Sequence, residues 1–146
     1  MQLLSRLNLR SGSLILFAVS FLLYINTVSN QYALDDEVVV TNAQVEKGFS
    51  GLGEIFTSDI FSSYYAQNNA EQQLSGGRYR PLSVATFAIE YAIFGNNPAP
   101  RHCINVLLYA LLSVLIFYTL AISFRIDLAV SFIIAFLFAI HPIHTE

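Results

Sequence analysis

The stretch Ile104–Phe124 (INVLLYALLSVLIFYTLAISF) carries no charged residue. As a helix it would reach about 31 Å, close to the roughly 30 Å hydrocarbon core of a bilayer. Inside lipid every backbone N–H and C=O must be satisfied within the segment, so such a run is helical or it does not span. Two more apolar runs flank the middle of the chain. One covers about Ser13–Val28; the other, Leu128–Ile140, extends to Ile143 if His141 and Pro142 lie at the interface. The last is short for a span. Only Arg125-Ile126-Asp127 separates the second run from the third, which predicts an antiparallel hairpin.

Composition supports a membrane protein over a soluble one. Hydrophobic residues make up 55% of the 146 and charged residues 12%, with a mean hydropathy of +0.56, whereas soluble domains average about 25% charged. The net charge of −3 gives no footprint for nucleic acid, so no nucleic-acid partner is expected. The lone Cys103 excludes an internal disulfide and has no zinc-type spacing. The first run follows Arg6 and Arg10 as a signal peptide would, but it leaves through Tyr24-Ile25-Asn26-Thr27 without a small-x-small cleavage site, so it reads as an uncleaved first helix.

The fold class expected is an all-α, polytopic membrane fragment with about three transmembrane helices. Arg6, Arg10 and Arg125 place the N-terminal tail (1–12) and the turn (125–127) in the cytoplasm. Spans then occupy 13–28, 104–124 and 128–143, and 144–146 is a truncated end. The segment 29–103 is an extracytoplasmic loop with two amphipathic helices lying in the interface, at about 45–60 and 81–95. In the first, Phe49, Leu52, Ile55, Phe56 and Ile60 recur at helical spacing, interrupted by Gly48, Gly51 and Gly53. In the second, Pro81 stands at the start, Val84, Phe87, Tyr91 and Phe94 line an apolar face, Ser83, Thr86 and Glu90 line the polar one, and Gly95-Asn96-Asn97-Pro98 ends it. The polar stretch Ala66–Gly77 between them reads as a mobile loop.

Three clusters carry chemistry. Asp35-Asp36-Glu37 lies just past the first span. Close like charges repel, so either a helix start or a function must hold them together. Proton abstraction, metal binding and capture of a polar substrate are the functional options. Arg78-Tyr79-Arg80-Pro81 fits interfacial anchoring, since Arg snorkels and Tyr favours the headgroup level. It equally fits phosphate recognition, because guanidinium forks match phosphate oxygens. His141, His144 and Glu146 are weak metal candidates: helical i, i+3 spacing aligns two imidazoles, but Pro142 disturbs the helix.

In order along the chain stand a span, Asp35-Asp36 with Asn42 beyond, Tyr79-Arg80-Pro81-Leu82, Gly95, His102-x-x-Asn105, and His141-Pro142-Ile143-His144-Thr145-Glu146. This series resembles the N-terminal part of membrane O-mannosyltransferase-like proteins with C-terminal tetratricopeptide repeats, within the GT-C superfamily. The resemblance implies a multi-span glycosyltransferase. It would move a sugar, mannose or a similar hexose, from a polyprenyl- or dolichyl-phosphate donor to a protein Ser/Thr or glycan hydroxyl. An acid of the first loop would sit at the catalytic centre, which falls on Asp35 and Asp36, with Asp35 favoured as base. Arg78, Arg80 and His102 would face the lipid phosphate. No cofactor is firmly implied; a divalent metal is compatible. The remaining spans and all repeats are absent here, so the fragment alone is expected to be inactive. The absence of an Asn-x-Ser/Thr sequon in the loop leans toward a bacterial inner membrane, with the endoplasmic reticulum as the alternative. The rival readings are a transporter or assembly subunit, and another lipid-phosphate enzyme. A transporter needs charges at mid-span, and the apolar runs hold none.

Overall fold

The computed structural model describes residues 7–32, 39–40, 42–58 and 79–141. Among these the protein is all-α, with no strand. Its helices are α1 (Leu9–Tyr24), α2 (Ala43–Glu46), α3 (Leu52–Ile55), α4 (Pro81–Phe94), α5 (Pro98–Tyr118) and α6 (Leu128–Ile140). A 3-10 turn, Ile25–Ser29, prolongs α1, and a π turn, Thr119–Ser123, prolongs α5. Two helical stretches, Leu9–Ser29 and Pro98–Ser123, are long and apolar enough to cross a membrane; α4 and α6 are shorter apolar helices. Only 17% and 22% of the apolar windows in the two long stretches are buried. Leu14 and Leu115 are 71% and 61% exposed. A water-soluble fold would cover such surfaces, whereas lipid solvates them. Leu9–Ser29 and Pro98–Ser123 are therefore suited to a lipid environment.

It divides into two compact units, Met1–Asn30 with Ala99–Glu146, and Gln31–Pro98. In the first, α1 begins earlier than its apolar run because Asn8 caps it: Ser11 N–H donates to Asn8 Oδ1 at 2.9 Å, and Asn8 N–H donates back to Ser11 Oγ at 3.1 Å. Helix α6 starts at Asp127, whose Oδ1 accepts from the Ala129 and Val130 amides. It stops at Ile140, since His141 precedes Pro142 and is extended, with φ −70° and ψ 128°.

Leu16, Phe117 and Ala135 form the core of this unit, backed by Leu9, Val114, Leu128, Phe132 and Phe136. Gly12, Ser20, Ser113, Ser131 and Ala139 are also buried, the small residues that let membrane helices approach closely. At Gly12 a Cβ would stand 2.8 Å from the Phe117 ring and 3.5 Å from Phe132. At the other end Tyr24 reaches Ala139 and Tyr109. Helices α1 and α6 therefore run parallel and α5 antiparallel to both. Arg10 and the Arg125 turn, where φ is +54°, share one end of the unit.

The second unit differs from a pair of regular amphipathic helices. The segment expected at about 45–60, interrupted by Gly48, Gly51 and Gly53, is three short pieces over its described part: α2, a 3-10 turn at Gly48–Gly51, and α3. Gly48 has φ +59°, a conformation that breaks a right-handed helix and costs a side-chain-bearing residue about 1–2 kcal/mol. As a result Ile55 is buried while Phe49 and Phe56 are exposed. Along α4 the buried face is Val84, Ala85 and Ala88, with Phe87 and Tyr91 packed beside them. Phe94 is exposed, and Glu90, expected on the polar face, is buried with 8% exposure. Small side chains suit this face: a Cβ added at Gly48 would stand 3.0 Å from Ala92 Cβ and 3.8 Å from the Ala88 carbonyl oxygen.

Candidate functional site

The sequence-derived site residues fall unevenly on the structure. Asp35, Asp36 and Glu37 lie outside the described residues, as do Arg78, His144 and Glu146. Among the described residues no three His, Cys, Asp or Glu side chains gather as a metal-ligand set. Arg80, His102 and His141 are described.

His102 lies in the first turns of α5, half-buried, next to Arg101, which is only 3% exposed. Burying an arginine this deeply without compensation would be prohibitively costly.

About two turns further along α5, Tyr109 and Tyr24 build a polar clamp on the last carbonyls of α6. Tyr109 Oη–H is shared between the Phe138 and Ala139 carbonyls, both at 3.1 Å. Tyr24 Oη–H is shared between Ala139 and His141, at 3.3 and 3.4 Å. The two rings meet edge to face with centroids 5.0 Å apart. The terminal carbonyls of a helix lack helical donors, so the phenols supply what water would supply elsewhere. This fixes the backbone of His141, whose side chain is exposed. Aromatic residues at span ends were visible in the sequence, but not their convergence on one helix end.

Arg80 stands at the N-cap of α4 with Pro81 at the first helical position, and no side chain caps this end. Tyr79 donates from Oη to the Phe56 carbonyl at 2.6 Å, tying the start of α4 to the turn after α3. Arg80 is exposed and forms no ion pair among the described residues; the ion pair seen there is Lys47–Glu54, at 2.6 Å. A shallow depression with about 10 Å³ of free space, room for about one water, lies at this helix end, lined by Gln44, Ile55, Ser58, Tyr79, Arg80, Pro81 and Val84. Gln44, which nothing in the sequence singled out, is 1% exposed. A helix N-terminus favours negative charge through its free amides and dipole, and Arg80 is an exposed cation at this one.

No family model matches the chain, and no solved structure matches it. Curated relatives do. Human protein O-mannosyl-transferase TMTC1 is 32% identical over 133 residues, 90% of this chain and 14% of that protein. Mouse protein O-mannosyl-transferase TMTC2 is 31% identical over 135 residues, 92% of this chain and 15% of the relative. Mouse protein O-mannosyl-transferase TMTC4 is 29% identical over 148 residues, 92% and 19% respectively. The similarity runs through nearly the whole chain, which is therefore related to a stretch of the protein O-mannosyl-transferases. It spans between about a seventh and a fifth of their length. These relatives come from human and mouse, and they give no support to a bacterial inner membrane.

Proposed function

We propose that this chain is part of an integral-membrane glycosyltransferase. It transfers a hexose, mannose in the first instance, from a polyprenyl- or dolichyl-phosphate donor to a Ser or Thr hydroxyl of a protein. The observation that carries the reading is the similarity over nine-tenths of the chain to proteins named protein O-mannosyl-transferases. The apolar, outward-facing helices agree with a substrate whose tail lies in the bilayer. Arg10 and Arg125 at one end of the helical unit mark the cytoplasmic side, so the reaction faces the extracytoplasmic or luminal side, where Tyr24 and Tyr109 lie. Animal relatives favour the endoplasmic reticulum membrane.

In the reaction the acceptor hydroxyl oxygen attacks the anomeric carbon of the donor. The bond from that carbon to the phosphate oxygen breaks, and the phosphate leaves with the bonding electron pair. The hydroxyl proton passes to a carboxylate, assigned to Asp35, with Asp36 as its electrostatic partner. The departing phosphate gains charge and calls for cationic stabilisation, assigned to Arg78, Arg80 and His102. A divalent cation on the phosphate is the alternative stabiliser, and loss of activity in EDTA, restored by Mg²⁺ or Mn²⁺, would assign that role to it.

The test is mannosyl transfer from polyprenyl-phosphate mannose to a Ser/Thr peptide by the full-length membrane protein. Asp35→Asn or Asp36→Asn should lower turnover by about a hundredfold or more at equal membrane abundance. Activity of both within threefold of wild type overturns the catalytic assignment. Absence of transfer by the wild type in any donor–acceptor combination overturns the enzymatic reading.

A further inference from the structure

Two arginines stand at one end of the unit built from α1, α5 and α6, each where the fold disfavours it. Arg10 is in the first turn of α1, where the positive end of the helix dipole repels a cation. That turn holds no acid, and residues 1–30 contain no Asp or Glu. Arg125 has φ +54°, a left-handed conformation that glycine adopts freely and a residue with a Cβ does not. Leu9 and Leu128 pack on the same core, and Gly12 faces the Phe132 ring. The starts of α1 and α6 therefore lie side by side and bring both arginines to one end. Both are exposed, and neither forms an ion pair among the described residues. Asp127, the neighbouring acid, has its Oδ1 committed to the Ala129 and Val130 amides.

Water solvates a guanidinium anywhere on a surface, so water gives no reason for either position. An anionic surface does. It offsets the repulsion at the start of α1, and its phosphate and carboxylate oxygens match the guanidinium fork. Apolar side chains stand at the same end: Ile122 and Phe124, just before Arg125, are 55% and 68% exposed. Cations beside exposed apolar groups fit the boundary between headgroups and acyl chains. We propose that Arg10 and Arg125 together bind the headgroup of an anionic phospholipid, with Ile122 and Phe124 against its acyl chains. The site rests on the membrane reading above and on the cytoplasmic placement of this end, the side on which anionic lipids concentrate. It is separate from the transfer chemistry on the opposite side.

The experiment is native mass spectrometry of the full-length protein in detergent, titrated with phosphatidylserine and with phosphatidylcholine of the same acyl chains. Wild type should prefer phosphatidylserine by about tenfold or more, since each arginine near an anionic surface contributes about fivefold. Arg10→Gln and Arg125→Gly should each lower that preference about fivefold. Glycine suits the backbone at 125, so Arg125→Gly should raise the melting midpoint in phosphatidylcholine while the preference falls, an opposition that a merely structural arginine would not produce. Arg125→Lys keeps the charge and should keep most of the preference. Equal binding of the two lipids by wild type overturns the site, and this arm needs no variant to fold. So does a preference unchanged in both Arg10→Gln and Arg125→Gly. Displacement of phosphatidylserine by an equimolar amount of inorganic phosphate would make this a free-anion site and overturn the lipid assignment. Release of the wild type from membranes by alkaline carbonate overturns the membrane reading and the site with it. An arginine-dependent preference in a protein that transfers no mannose keeps the site and sinks the enzymatic reading.

Discussion

Gly51 and Gly53 are two residues apart, and replacing each with alanine should move stability in opposite directions. At Gly51 a Cβ would run into the backbone carbonyl oxygen of Gln44 and stand 3.1 Å from Lys47 Cβ. A carbonyl on the main chain cannot rotate away as a side chain can, so the 3-10 turn and α2 must separate. Gly51 has φ −79° and ψ −13°, an ordinary right-handed conformation, so the cost is steric alone. Overpacking of this kind costs about 1–3 kcal/mol. Restricting the unfolded chain returns about 0.4–1 kcal/mol. The net is a loss of about 1–2 kcal/mol from the unit that contains α4. At Gly53 nothing lies within 4 Å of the added Cβ, so only the second effect remains, a gain of about 0.4–1 kcal/mol. Amide hydrogen exchange in α4 reads both, since it reports local opening free energy rather than global unfolding. Gly51→Ala should speed exchange about fivefold to thirtyfold, and Gly53→Ala should slow it about twofold to fivefold. Shifts of the same sign in the two variants would refute the close approach of the 3-10 turn to α2.

Two further outcomes are expected. Tyr109→Phe removes a hydroxyl shared by two carbonyls at the end of α6 and should destabilise the protein by about 0.6–1.7 kcal/mol, the range for hydrogen bonds between membrane helices. Adding Tyr24→Phe should cost less or more than the sum of the single changes because both hydroxyls meet the Ala139 carbonyl; strict additivity in thermal-shift midpoints would mean the clamp does not act as a unit. For topology, a cysteine placed at Gln72 in a Cys103→Ser background should react with a membrane-impermeant maleimide from the extracytoplasmic side of intact vesicles, and labelling from the cytoplasmic side would reverse the assigned orientation.

The sequence by itself determined the class of this protein. An uncharged run the length of a bilayer has no folded alternative to a helix, because backbone groups in lipid must bond within the segment. The same holds for some helix ends: Pro81, Gly95 and Pro142 act on their immediate neighbours, and local rules read them, whereas the Asn8 and Asp127 caps emerged only in the structure. The ordered Asp-Asp, Tyr-Arg-Pro-Leu and His-Pro-x-His motifs pointed to the relatives that comparison then found. Tertiary structure alone decided which residues share a surface. The helical period over 49–60 is a pattern of side chains, but Gly48 and the small faces of Ala88 and Ala92 broke that segment into three pieces around α4. That break buried Ile55, exposed Phe49, and brought Gln44 from α2 to the foot of α4. Likewise Tyr24 and Tyr109, 85 positions apart in the sequence, meet on one helix end only because α1 and α6 run parallel. Sequence patterns record the periodicity of one element at a time. Packing between elements depends on which small residues let two backbones approach, and that information is carried jointly by segments distant in the chain.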